Sequence, residues 1–260
     1  MRRQRRPAEG EKHTADQSVR KSLGDLQKVM TGGIKTGLQT LVDLVLEKDA
    51  TGSMQNLMEN AKANALTLHT RIKSALAAKN RLADKIRVKV IAFRDVYVDD
   101  EPFTESEFFI LQDGEGDEPE FRSCIAGIEA EGGGDEPENA LEALHMAMNV
   151  DFAKPLQGQK ARHIIAVMTD ASAHPLDHPE RSRCTAYPQG VPADLLSLQA
   201  EWEEKMSPSA RRLLVFAPNA SPWSTVASWM DTPLIASAAG KGIDSQQFDA
   251  AIATIAGSIA

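Results

Sequence analysis

Apolar and polar positions fall into alternating blocks whose period switches between that of a buried strand and that of an amphipathic helix. Leu41 to Leu46 is almost continuously aliphatic, interrupted by Asp43, as expected of a strand covered on both faces. From Met54 onward, Leu57, Ala61, Leu68, Ile72 and Leu76 recur at helical spacing with lysines and asparagines opposite them. Ile86 to Phe93 predicts a second strand, and Val96 to Phe103 a short partner in an edge hairpin bounded by Asp95 and Asp99-Asp100. Glu118 to Ala130 and Glu136 to Asn149 predict two helices with a glycine run between them. His163 to Met168 reads as a core strand, and a loop punctuated by Pro175, Pro179, Pro188 and Pro192 follows. A helix with Leu195, Leu198, Trp202 and Met206 on one stripe leads to strands at Leu213 to Phe216 and Leu234 to Ala236, and to a helix from about Ser245.

Strands alternating with helices imply βαβ crossovers, hence an α/β, doubly wound, mainly parallel six-stranded sheet with one short antiparallel edge strand and helices on both faces. Such sheets bind ligands beyond the carboxyl ends of their strands, where the winding reverses, and Asp49 and Asp170 both stand at strand ends of that kind.

With 260 residues, 42% of them hydrophobic, the chain accommodates one large domain and a tail. Residues 1–36 are expected to form a basic, flexible or helical extension and 37–260 the domain. The formal charge of -8 gathers at Asp99-Asp100-Glu101, Glu115 to Glu120 and Glu129 to Glu138, which argues against nucleic acid as a partner of the main domain. Arg2, Arg3, Arg5 and Arg6 are read as a solvated arm in preference to a docking arm. No apolar segment of a secretory or twin-arginine signal follows them, and no run approaches the roughly 18 uncharged apolar residues of a membrane span. A soluble, cytoplasmic protein is expected. Cys124 is expected to be a buried structural thiol, and nothing calls for an oxidising compartment.

The candidate chemistry is oxygen-rich. Asp49-Ala50-Thr51-Gly52-Ser53 places a carboxylate and two hydroxyls at alternate residues just after a strand, Gly132-Gly133-Gly134-Asp135 opens a helix, and Met168-Thr169-Asp170 closes a strand. Mg²⁺ prefers octahedral oxygen coordination and keeps several waters, so two hydroxyls with carboxylates behind them suit it. Each residue also has an ordinary role. Ser53 is a helix cap, Asp49 and Asp170 are turn formers, and Asp135 belongs to a capping box with Glu138. Their joint placement on one sheet edge favours the metal.

The segment Asp49-Ala50-Thr51-Gly52-Ser53-Met54 resembles the D-x-[ST]-x-S signature of von Willebrand factor type A domains, the metal-ion-dependent adhesion site. Phe93-Arg94-Asp95, Gly132 to Glu138, and Met168 to Ala171 with His174-Pro175 are similar to bacterial and protist members, and the resemblance covers about Leu38 to Ala260. It implies Mg²⁺ or Mn²⁺ held by Asp49, Thr51, Ser53, Asp135 and Asp170, metal-assisted binding of another protein, and no catalysis. By association, members of the bacterial intracellular type imply a partner such as an AAA+ ATPase, a kinase or another component of a stress, defence or regulatory system. Two departures stand out. Many members have threonine where this chain has Asp135, and an added carboxylate there is expected to weaken capture of an external acid. Glu47-Lys48 puts charges in the central strand, and Lys48 is expected to pair with an acid near the metal.

His174, His178 and Cys184 match no closed zinc pattern, Asp113 to Asp117 lacks the glycine and terminal glutamate of a calcium loop, and no phosphate-binding glycine motif is present. The enzyme alternative is a Mg²⁺-dependent phosphohydrolase of haloacid-dehalogenase type with Asp49 as nucleophile. Thr51 opposes it, because that chemistry wants a second acid two residues on. A scaffold with a degenerate metal site is the remaining alternative.

Overall fold

The computed structural model describes residues 39–78, 85–111, 116–134, 136–230 and 232–237, together with 250, 253 and 254. Its strands are β1 (Gln39–Asp49), β2 (Lys85–Phe93), β3 (Phe103–Glu105), β4 (Phe109–Ile110), β5 (Gln159–Met168), β6 (Arg211–Pro218) and β7 (Leu234–Ser237). Its helices are α1 (Gln55–Ala78), α2 (Glu118–Gly127), α3 (Ala140–Met148), α4 (Leu195–Lys205) and the short α5 (Trp223–Val226). The sheet runs β3-β2-β1-β5-β6-β7, parallel from β2 to β7, with β3 and β4 both antiparallel to β2 at one edge. The doubly wound architecture read from the sequence is therefore the one observed.

Winding reverses between the central neighbours β1 and β5, because β2 lies on one side of β1 and β6 and β7 lie beyond β5. Side-chain alternation then divides the core. Val42, Leu44 and Leu46 of β1 face Ile72 of α1 and Phe121 and Ile125 of α2. Val45, with Ile91 and Phe93 of β2, faces Ala140, Ala143, Leu144 and Ala147 of α3 and Leu198 and Trp202 of α4. Small residues on α3 let that helix sit close against the sheet, which places its N-terminal end beside the end of β1.

Three boundaries differ from expectation. Val96 to Pro102 is a turn rather than a strand, because Asp95 captures it locally: its Oδ1 accepts from Tyr97 N–H at 2.8 Å and its carbonyl accepts from Asp99 N–H at 2.8 Å. The hairpin partner is displaced to β3 and β4. The helix expected from Glu136 starts at Ala140, because Glu138 is held extended as a parallel bridge to Ala173. Its N–H donates to Ser172 O and its carbonyl accepts from His174 N–H. This also overturns Glu138 as a capping-box partner of Asp135. The helix expected to reach Ala130 stops at Gly127, with Ile128 already extended. The helix expected from Ser245 falls largely outside the described residues, as does the expected extension at 1–36.

Charged residues persist to the end of the central strand. Glu47 and Lys48 are both buried inside β1, which runs on to Asp49, and alternation puts Lys48 on the face opposite Asp49.

Candidate functional site

Asp49, at the last position of β1, is fully buried. Thr51 donates to its Oδ1 twice, from N–H at 2.9 Å and from Oγ1 at 2.6 Å, so the chain turns back over its own carboxylate. Thr169, just past β5, donates from Oγ1 to the other oxygen at 2.6 Å and accepts from Ala171 N–H at 3.1 Å. Ser53 Oγ lies 3.1 Å from Thr51 Oγ1 and donates to Asp170 Oδ1 at 3.1 Å. One continuous chain of oxygens, Thr169, Asp49, Thr51, Ser53 and Asp170, thus joins the loops after β1 and β5 at the reversal point.

The glycine loop is strapped onto the first loop by Gly52 N–H to Gly132 O and Glu131 N–H to Ala50 O, both 3.0 Å. Gly133 has φ +69°, and a Cβ there would stand 2.8 Å from Thr51 Cβ. Only glycine allows both the backbone conformation and this approach.

The electrostatics are those of a site short of positive charge. Asp170 is 1% exposed, and its Oδ2 is buried with no hydrogen-bond partner. Burial raises the Asp49 carboxyl above its ordinary value, hydroxyl bonds from Thr169 and Thr51 counter that rise, and repulsion from Asp170 adds to it. Glu138, on the strand-like segment before α3, is pushed up to about 9 by burial and then by Asp49, Asp95, Asp99 and Asp170. Arg94, a cation beside this region, spends its guanidinium on the carbonyls of Glu129 and Glu131 at 2.9 and 3.0 Å.

Four of the five residues expected to hold a metal, Asp49, Thr51, Ser53 and Asp170, are brought together; Asp135 lies outside the described residues. Asp170 bonds directly to Ser53 instead of standing behind it. Among the described residues no three His, Cys, Asp or Glu side chains converge as a metal cage, so any cation here would rely on the hydroxyls. The donor set fits a hard cation on that basis: it is all oxygen, and among the described residues it carries an orphaned buried carboxylate oxygen. Sequence reasoning missed Thr169, which is detectable as a hydroxyl next to an aspartate at a strand end. Glu138, one of the acids gathered between Glu129 and Glu138, lies within electrostatic reach of Asp49 and Asp170.

His174 Nε2 lies 3.6 Å from Asp95 Oδ1, with its ring edge-on to Tyr97. His178 stacks at 4.1 Å on the same tyrosine, and Cys184 Sγ donates to Val96 O at 3.1 Å. These three side chains pack the proline-rich loop onto the Val96 turn and form no zinc cluster.

A sequence model described as von Willebrand factor A domain matches residues 43–186, more than half of the chain. The chain belongs to the von Willebrand factor A domain family. The crystal structure of the pilus adhesin SpaC from Lactobacillus rhamnosus GG is similar in fold, with a TM-score of 0.52 at 12% identity over 86% of this chain. The open conformation of the same adhesin gives 0.48 at 12% identity over the same share. The matched region is 31% of the adhesin's chain, so this von Willebrand factor A chain spans less than a third of that protein. No curated protein matches it.

Proposed function

We propose that this von Willebrand factor A domain is a non-catalytic, metal-dependent protein-interaction module whose crevice holds Mg²⁺ or Mn²⁺. The family is one of protein-interaction modules. Thr51 and Ser53 would offer hydroxyl oxygens to the ion, Asp170 its orphaned Oδ2, and Asp49 would hold the two hydroxyls in place, with Asp135 contributing from the glycine loop. When bound, the ion supplies a positive centre able to accept an oxygen ligand from a partner. The observation that carries this reading is Asp170 Oδ2, buried and without a hydrogen-bond partner among the described residues, at the end of a contiguous row of oxygens. A buried carboxylate oxygen left without a donor is costly unless a cation compensates it.

Against the phosphohydrolase alternative stands Asp49 itself. Both of its oxygens accept hydroxyl hydrogen bonds, and the residue two positions on is a threonine that cannot act as the acid. The proposed setting is a cytoplasmic bacterial stress, defence or regulatory assembly; among the described residues no helix is long and apolar enough to cross a membrane. Titration calorimetry with Mg²⁺ and Mn²⁺ tests the site, with saturable heat in the wild type and none in Ser53→Ala as the expected result. Equal heats in the two proteins would remove the metal site. Co-purification with and without chelator tests the partner, which should be lost on chelation.

A further inference from the structure

A second site lies on the flank of the domain, away from the crevice and with its own chemistry. A cavity of about 570 Å³ opens between β2, the β3–β4 edge, α3 and the Pro188–Gly190 turn. His145 of α3 stands in its wall, 6% exposed, with Nδ1 2.8 Å from Glu201 Oε2 of α4. Glu201 also accepts from Asn149 Nδ2 at 3.0 Å and pairs with Lys205 Nζ at 2.6 Å. Burial opposes ionisation of Glu201, but the bonds from Lys205, Asn149 and His145 outweigh it and hold the carboxyl below its ordinary value.

With its Nδ1–H given to Glu201, the imidazole in that tautomer turns an acceptor, Nε2, outward. That nitrogen has no hydrogen-bond partner among the described residues, and it faces the turn at Gly190, where a Cβ would stand 3.7 Å away. Any occupant must therefore bring a donor. The cations of the lining are already committed: Lys89 bonds to Ser106 O and pairs with Glu105 at 3.0 Å, and Lys205 pairs with Glu201. Glu107 lines the same cavity with no ion pair among the described residues, whereas Asp151 lies within electrostatic reach of Arg87, which donates to its carbonyl at 3.2 Å; the three carboxylates of the lining outnumber its two lysines. Phe108 forms part of the wall, and the Arg87 guanidinium already stacks on its ring at 4.3 Å.

We propose that this flank cavity receives an arginine side chain of a partner protein, its planar guanidinium donating to His145 Nε2 and to the Glu107 or Asp151 carboxylate. An arginine fork reaches two acceptors at once, and its stem packs on Phe108 and Met146; an ammonium is a point charge that is strongly hydrated. The inference rests on the protein-interaction reading but not on the metal.

The test titrates N-acetyl-arginine amide into the protein at about pH 8 and follows the His145 ring resonances by NMR. A saturable shift is expected, weakened about threefold in Glu107→Gln, which replaces an exposed charge without touching the fold. Ser53→Ala should leave the titration unchanged, which separates failure here from failure at the metal crevice. No saturable shift, an equal affinity for N-acetyl-lysine amide, or tighter binding of N-acetyl-glutamate amide would overturn the assignment.

Discussion

The two ends of β1 carry acids on the same face of the same strand, yet they are handled in opposite ways. At the lower end, Asp43 is 1% exposed and fully compensated: Arg87 grips it at 2.7 and 2.6 Å through Nε and Nη2, and Ala153 N–H donates at 2.6 Å. At the upper end, among the described residues, Glu47 is fully buried with neither carboxyl oxygen hydrogen-bonded, and Asp49 accepts from the neutral donors of Thr51 and Thr169. A carboxylate paired with a guanidinium is structural, whereas the upper end is where the proposed ion would sit. Charge compensation, rather than burial, distinguishes the two ends.

Removing the compensation should have the largest effect. Asp43→Ala strands the Arg87 guanidinium and the Ala153 N–H and should cost about 3–5 kcal/mol in denaturant unfolding. A loss under about 1 kcal/mol would mean that water already compensates that end. Glu47→Met should act in the reverse direction, stabilising by about 1–3 kcal/mol, because it removes an unsatisfied buried carboxyl of similar volume.

The pH dependence follows with a definite sign. Burial raises the Glu47 carboxyl well above its ordinary 4.5. The unfolded chain therefore releases this proton first as pH rises, and the folded state loses stability as pH climbs from about 4.5 toward the folded value. That slope should flatten in Glu47→Met; an unchanged slope would assign it to other groups.

Gly133→Ala should cost about 1–3 kcal/mol through its positive φ and push Thr51 out of the oxygen chain, so that unfolding midpoints with and without Mg²⁺ converge. The smallest effect on the metal-free protein is expected from Ser53→Ala, about 0.5 kcal/mol or less, since the hydroxyl is exposed. The same variant should abolish the rise in melting temperature that Mg²⁺ gives the wild type. A melting temperature that rises equally in both would make the upper end as purely structural as the lower.

Much of this was legible in the chain. The aliphatic run at Leu41 to Leu46, the Ile86 to Phe93 strand and the Leu198, Trp202, Met206 stripe announced their elements because period and burial coincide there. The Val96 turn and the late start of α3 were not legible. In the first, an Asx turn outcompeted β-branched propensity, and in the second a bridge between Glu138 and Ala173, far apart in sequence, decided the boundary. That Asp49, Thr51 and Ser53 share one loop could be read from their spacing, whereas the meeting of Thr169 with Asp49 required knowing that β5 lies beside β1.

Taken alone, the order of residues determined the doubly wound sheet, its reversal point and the family, because local period, turn chemistry and crossover handedness leave few alternatives. It could not determine which acid meets a guanidinium, which meets a hydroxyl and which meets nothing. Those outcomes depend on the register of strands distant in sequence, where Asp43 lies opposite Arg87 and Lys48 opposite Met168, the residue before Thr169 and Asp170. Registers of that kind are fixed by packing between elements, and local sequence does not carry them.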